Sequence, residues 1–116
     1  MAQLEKKNFN TPDQTMSPPK SKMEVVNIGG KMIGRMTFEP GWKWSTDFGP
    51  AMNKEVCPMH HFGYQESGTM QIRMQDGTEL TINAGDVVDI PPGHDAWVVG
   101  NEPAVLIDFG GGPEAK

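Results

Sequence analysis

The stretch GDVVDIPPGHDAWVVG, residues 85–100, decides how the chain folds. Val87, Val88 and Ile90 form a short apolar strand that runs into the turn Pro91-Pro92-Gly93. A second strand, Ala96 to Val99, leaves that turn. The two prolines fix φ and end the first strand, and Gly93 permits the reversal. His94 and Asp95 stand at the mouth of the turn, where a rigid scaffold presents its chemistry.

Working outward, the same punctuation recurs. Upstream lies a hairpin in which Met70, Ile72 and Met74 face one way and Gln71, Arg73 and Gln75 the other. Asp76-Gly77 is the favoured two-residue turn, and Leu80 and Ile82 supply the returning face. Downstream, Val105, Ile107 and Phe109 alternate with Ala104, Leu106 and Asp108. Towards the N-terminus, Met23 to Ile28 ends at Gly29-Gly30, and Lys31 to Glu39 ends at Pro40-Gly41. Trp42, Trp44 and Thr46 alternate with Lys43, Ser45 and Asp47, a half-buried strand pattern. Residues 51–54 read as loop. A strand enters near Glu55 and resumes after Pro58, and Phe62 to Glu66 follows. No stretch carries a helical period. Many short strands with turns between them predict an all-β sandwich or barrel. Residues 1–22, polar and holding Pro12, Pro18 and Pro19, read as a flexible N-terminal arm, or as an arm pairing with a partner's sheet. Residues 23–110 read as the β-domain and 111–116 as a C-terminal tail.

The totals set limits. A chain of 116 residues with 36% hydrophobic and 22% charged residues suggests one domain with a modest core. No apolar run approaches the roughly 20 residues of a membrane span, and the first residues lack an apolar signal region. One cysteine excludes an internal disulfide and agrees with a reducing compartment, so a cytoplasmic location is expected. A net charge of −5 with no basic patch argues against nucleic acid.

The glycine and proline skeleton resembles the cupin superfamily in two motifs. The first is Gly, five residues, His-x-His, three or four residues, Glu, six residues, Gly. Here Gly49 is followed by five residues, Glu55-Val56-Cys57, three residues, His61, six residues and Gly68. The second is Gly, five residues, Pro-x-Gly, two residues, His, three residues, Asn. Here Gly85 is followed by five residues, Pro91-Pro92-Gly93, two residues, Ala96, three residues and Gly100. The run Cys57, His61, Gly63, Tyr64, Ser67, Gly68, then Pro91 through Trp97, is similar to a subgroup of small cupin-domain proteins. The resemblance covers residues 25–109 and implies a double-stranded β-helix (jelly-roll) cupin barrel. All four positions that hold metal in that family differ here. Its two histidines are Glu55 and Cys57, its glutamate is His61 and its last histidine is Ala96.

Three chemistries follow from the substituted site. In the first, Glu55, Cys57, His61 and His94 form a rearranged metal site. A thiolate with imidazoles suits zinc, and iron, copper and nickel are the other divalent candidates. Against it, no Cys-x-x-Cys or His-x-His chelate is present, and the adjacent His60 and His61 face opposite ways on a strand. In the second, Cys57 is a nucleophile and His61 its base, without metal. The plain alternatives are an inert buried thiol and a core histidine bonded to backbone or Tyr64. In the third, the domain binds a small molecule without turnover. Tyr64, His94 and Trp97 are the ligand-binding candidates, with Trp42, Trp44, Met70 and Met74 lining the cavity or filling the core. Asp95 reads best as a turn cap. The superfamily also implies a metal-dependent enzyme of dioxygenase, isomerase or lyase type as an alternative. Exposed strand edges predict a homodimer, with Met23 to Glu39 pairing across a two-fold axis.

Overall fold

The computed structural model describes residues 3–110. Eleven elements follow one another: β1 (Gln14–Met16), β2 (Ser21–Ile28), β3 (Lys31–Phe38), α1 (Trp44–Asp47), α2 (Gly49–Met52), β4 (His61–Ser67), β5 (Thr69–Met74), β6 (Glu79–Ile82), β7 (Val87–Ile90), β8 (His94–Val99) and β9 (Ala104–Asp108). They make a six-stranded antiparallel sheet in the order β1-β2-β3-β9-β4-β7 and a three-stranded one in the order β6-β5-β8. Among the described residues, no helix is long and apolar enough to cross a membrane.

The all-β class holds, but the jelly-roll barrel does not form. Neither sheet closes on itself, and β1, β7, β6 and β8 are left as edges. The cause lies in residues 39–60, which would have to run along β8 to complete the wall. That segment carries Pro40, Pro50 and Pro58, each without the N–H a ladder needs. Its strand pairing with β8 is reduced to two isolated bridges, Lys43 with Trp97 and Cys57 with His94. The expected strand over Trp42 to Thr46 is replaced by α1, and the loop at 51–54 overlaps α2. Pro50 stands in the first turn of α2, where its missing N–H costs nothing, and Asn53 ends it in the left-handed conformation. Trp42 and Trp44 are both buried, although only Trp44 is helical.

The turns have local causes. Gly29-Gly30, both at positive φ, link Ile28 to its partner Lys31 in a two-residue turn. Asp76-Gly77 closes one residue wider than expected. Gly77 N–H donates to Met74 C=O, Gly77 takes positive φ, and Met74 N–H donates to Thr78 C=O. Neither β2 nor β3 is an edge, since β1 flanks one and β9 the other. Within the expected pairing stretch Met23–Glu39, the residues Met23–Val25 are already taken by β1 of the same chain. The stretch before β1 is also tied to its own chain. Asp13 accepts from Lys7 and from Asn27 N–H, and Glu5 accepts from Gly29 N–H. Residues 111–116, read as a tail, lie outside the described residues.

Between the sheets lies one core, which includes Phe38, Trp42, Met70, Ile72, Ile82, Ile90, Val98 and Leu106. Phe38 tilts against Trp42 with centroids 4.1 Å apart, and Phe48 meets Trp42 edge-on at 5.1 Å. At the α1 end, Asp95 on β8 accepts from the backbone N–H and hydroxyl of Ser45, at 3.0 and 2.7 Å. The carboxylate thus caps a helix fifty residues upstream in sequence as well as bonding its own turn.

Candidate functional site

Side chains two apart on a strand share a face, so His61, Gly63 and Gln65 look inward from β4, and His94, Ala96 and Val98 from β8. Cys57 belongs to no strand. It is clamped to β8 by two backbone bonds, its N–H to His94 C=O and its C=O from Gly93 N–H, both at 2.8 Å. Gly93 can make that bond because it sits at φ +94°, a conformation other residues rarely adopt. On the other side, β4 lies so close to β9 at Gly63 that a Cβ there would fall 2.0 Å from Ile107 O. That close approach pairs Gly63 with Asp108 and sets the Asp108 carboxylate beside His61.

The result is a buried cluster. The ligand atoms of Cys57, His61 and His94 all lie within 4.8 Å of one another. Cys57 Sγ is 3.7 Å from His61 Nε2, and the two imidazole rings meet edge-on at 5.3 Å. Each ring is fixed from behind. His61 Nδ1–H donates to Asp108 Oδ2 at 2.7 Å. His94 Nδ1–H donates to Pro91 C=O at 2.7 Å. A carbonyl only accepts, so the proton of His94 must sit on Nδ1, which leaves its Nε2 as the atom turned to the cluster.

Burial alone would raise the Cys57 thiol. Hydrogen bonding to His61 and then to His94 outweighs it, and the thiol is brought down to about 6. Burial would likewise lower His61. The bond to Asp108, then that to Cys57, reverses this and takes the imidazole up to about 9. Asp108 is itself pushed up by burial, but the bond to His61 and the N–H of Gly110 hold it below the ordinary carboxylate range. Near neutral pH the line is therefore thiolate, imidazolium, carboxylate.

The cluster is part of the wall of a cavity of about 130 Å³ otherwise lined mainly by apolar side chains, among them Met23, Met36, Met52, Met59 and Met70. Trp42 and Trp44 also line it, while Met74, Tyr64 and Trp97 do not. Tyr64 is exposed on the outer face of β4, and Trp97 faces away from the cavity with Lys43 Nζ 5.1 Å from its ring centre. Glu55 is exposed and borders a separate shallow depression with Ser45, Pro50 and Lys54. His60 pairs with Asp89, pointing away from its neighbour His61. Sequence reasoning missed Asp108 and Gln65. The signal for Asp108 was there in part: it shares a strand face with Ala104 and Leu106, both buried.

The donor set fits a metal ion. A tetrahedral zinc with sulfur at about 2.3 Å and nitrogen at about 2.05 Å puts those donors about 3.6 Å apart. The Cys57–His61 separation of 3.7 Å meets this already. Carboxylate or carbonyl partners behind each ring are the outer contacts that metal-bound histidines take. The site can also act without metal, as a thiolate with an oriented imidazolium.

This architecture is that of a small cupin-like β-domain with a buried Cys/His cluster. A structural-genomics protein of unknown function from Rhizobium leguminosarum is similar at TM-score 0.61 and 18% identity, over 93% of this chain and 98% of the other. A cupin-like protein from Thermotoga maritima is similar at TM-score 0.53 and 18% identity, over 76% and 65%. The CENP-C cupin domain of Drosophila melanogaster follows at TM-score 0.56 and 14% identity, over 83% and 68%. These likenesses concern the fold. No protein-family model matches the chain, and no curated protein matches it in sequence.

Proposed function

We propose that the protein binds a soft divalent metal ion, zinc in the first place, through Cys57, His61 and His94, and holds a small molecule in the adjoining cavity. One observation carries this reading. Both imidazoles spend Nδ1 on a partner behind them, Asp108 for His61 and Pro91 for His94, and turn Nε2 to the thiol. Such rings are oriented before any ion arrives. A site with three protein donors and an apolar cavity beside it leaves room for a fourth ligand. The metal would supply Lewis acidity at that position.

Metal titration tests the reading. One equivalent of Zn²⁺ or Co²⁺ should bind, with a thiolate-to-cobalt absorption band that Cys57→Ser removes. At pH 7.5 Cys57 is already ionised and His61 protonated, so this pair releases one proton on binding, read by calorimetry in buffers of different ionisation enthalpy. Protein that takes up neither zinc, cobalt, copper nor nickel stoichiometrically overturns it.

A second reading has its own support. Cys57, His61 and Asp108 stand in the order nucleophile, base and orienting carboxylate. It requires the metal-free thiolate to react. Iodoacetamide labelling of Cys57 should level off above about pH 7 rather than climb to pH 9, and a thiol that stays unlabelled removes this reading.

A further inference from the structure

The wall of the cavity is nearly all hydrocarbon and sulfur. Phe38, Trp42, Trp44 and Phe48 supply aromatic faces, and five methionines add side chains that yield to irregular shapes. Among the described residues, no lysine, arginine, aspartate, glutamate, serine, threonine, asparagine or tyrosine lines it. Its polar residues are Gln65, Cys57, His61 and His94. Gln65 is fully buried, with Nε2 donating to Ser67 and Gly68 C=O. The ligand atoms of the other three lie within 4.8 Å of one another, in reach of one metal ion.

A close-packed core has few voids larger than a water molecule, and an apolar void of this size stays dry. The volume of about 130 Å³ is a little under that of engineered apolar cavities of about 150 Å³ that admit benzene. A charged or many-hydroxyl ligand would give up its water here and leave most of its polar atoms without partners. Met52, Pro58 and Met59 line the cavity and are also exposed to solvent, so the way in is apolar as well.

We infer that the ligand of this cavity is a small uncharged ring compound, aromatic or alicyclic, of about six or seven non-hydrogen atoms, with at most one polar group. Its ring lies among the aromatic and methionine side chains, and any polar group it carries is directed to the Cys57–His61–His94 side. The inference rests on the reading above only in taking this cavity as the ligand site. It does not require the metal.

Chelator-treated protein tests it with benzene, toluene, pentanoate and glycerol as probes, by calorimetry and by NMR of the methionine methyl groups. Benzene or toluene should bind one per chain. Either should bind at least about 100-fold more tightly than pentanoate, which is as large as toluene but brings a charge that burial leaves unpaired. Benzene should shift the methyl resonances of Met36 and Met70, which line the cavity, and leave that of Met32, which is exposed and does not. Ala96→Leu, which sets a larger side chain into the wall from β8, should abolish benzene binding. The wild-type methyl shifts decide the matter even if that variant fails to fold. Pentanoate or glycerol binding as tightly as benzene, Met36 and Met70 methyl resonances that benzene does not move, or unchanged benzene binding in folded Ala96→Leu each overturns the inference. A parallel zinc titration keeps the two ideas apart. Benzene binding without zinc uptake sinks the metal reading alone, and zinc uptake without benzene binding sinks this one alone.

Discussion

Two groups of ionisable side chains are buried on opposite faces of the large sheet, and they are finished differently. On the face away from the cavity, Glu24 of β2 meets Arg35 of β3 in a fork, Oε1 with Nε at 2.8 Å and Oε2 with Nη2 at 3.1 Å. Lys22 stands 3.5 Å from the same carboxylate, and Phe9 lies 5.2 Å under the guanidinium. Both carboxylate oxygens of Glu24 are thus taken by Arg35 within the chain. On the cavity face, His61 and His94 have partners behind them, and with Cys57 they turn their remaining donor atoms to one another. A charge pair built for stability closes on itself. A site built for a ligand leaves its inner valences short, as the 3.7 Å contact between sulfur and nitrogen does.

The strongest way to break this comparison is to remove a donor from the open group. His61→Ala should lower zinc affinity by more than the 10–100-fold usual for loss of an outer contact, measured by competition with a chromophoric chelator. Glu24→Gln should leave that affinity where it was. Equal losses in the two variants would mean that zinc reads the general stability of the fold and not the cluster. One step smaller is Asp108→Asn, which keeps shape but removes the charge behind His61. A loss of about 10–100-fold is expected, with stoichiometry unchanged. No loss would reduce Asp108 to a packing residue.

Removing one partner of the closed group has a different signature. Glu24 is 6% exposed, and Arg35 is only partly covered. Glu24→Gln should therefore cost about 1–3 kcal/mol of stability, between the values for surface pairs and fully buried ones. Denaturant unfolding measures it. A cost under about 0.5 kcal/mol would place the fork with ordinary surface pairs.

How far the sequence announced all this differs by feature. Short-range chemistry was legible. Gly29-Gly30 and the Met70/Ile72 alternation act through neighbours in the chain and mark hairpins directly, while Pro91-Pro92-Gly93 marks the turn by which the chain leaves β7 in one sheet for β8 in the other. Cys57, His61 and His94 were legible as candidates because spacing places two of them in a known motif. What failed was long-range. Whether strands close into a barrel depends on what residues 39–60 do against β8, and the alternation at Trp42 and Trp44 suggested a strand. Burial of both rings is met instead by a loop and a helical turn. Asp108 meets His61 only because β9 pairs with β4, a contact forty-seven residues apart in sequence. Nor does anything local distinguish Gln65 from a solvent-facing strand residue.

The finest test is the pH dependence of the metal-free protein, where the two groups differ in sign and window. His61 is raised from 6.5 to about 9 by folding. Its contribution is whole below pH 6.5 and is lost as pH rises through 9. Cys57 is lowered from 9.0 to about 6. Its contribution is whole above pH 9 and is lost as pH falls through 6. Between about pH 6.5 and 9 the folded state has given up the Cys57 proton and kept the one on His61, so the two slopes oppose and stability should be flat. Glu24, held low by Arg35 against the opposing effect of burial, loses its contribution only in acid and adds no slope in this window. Cys57→Ser removes one limb. His61, still bonded to Asp108, then leaves a curve that falls as pH rises from 6.5, by at most about 1.4 kcal/mol per unit. Thermal unfolding at half-unit steps measures it. A Cys57→Ser profile as flat as that of the wild type would mean that thiol and imidazole are both neutral in the folded protein, and the cavity face would then hold no ion pair to compare with Glu24 and Arg35.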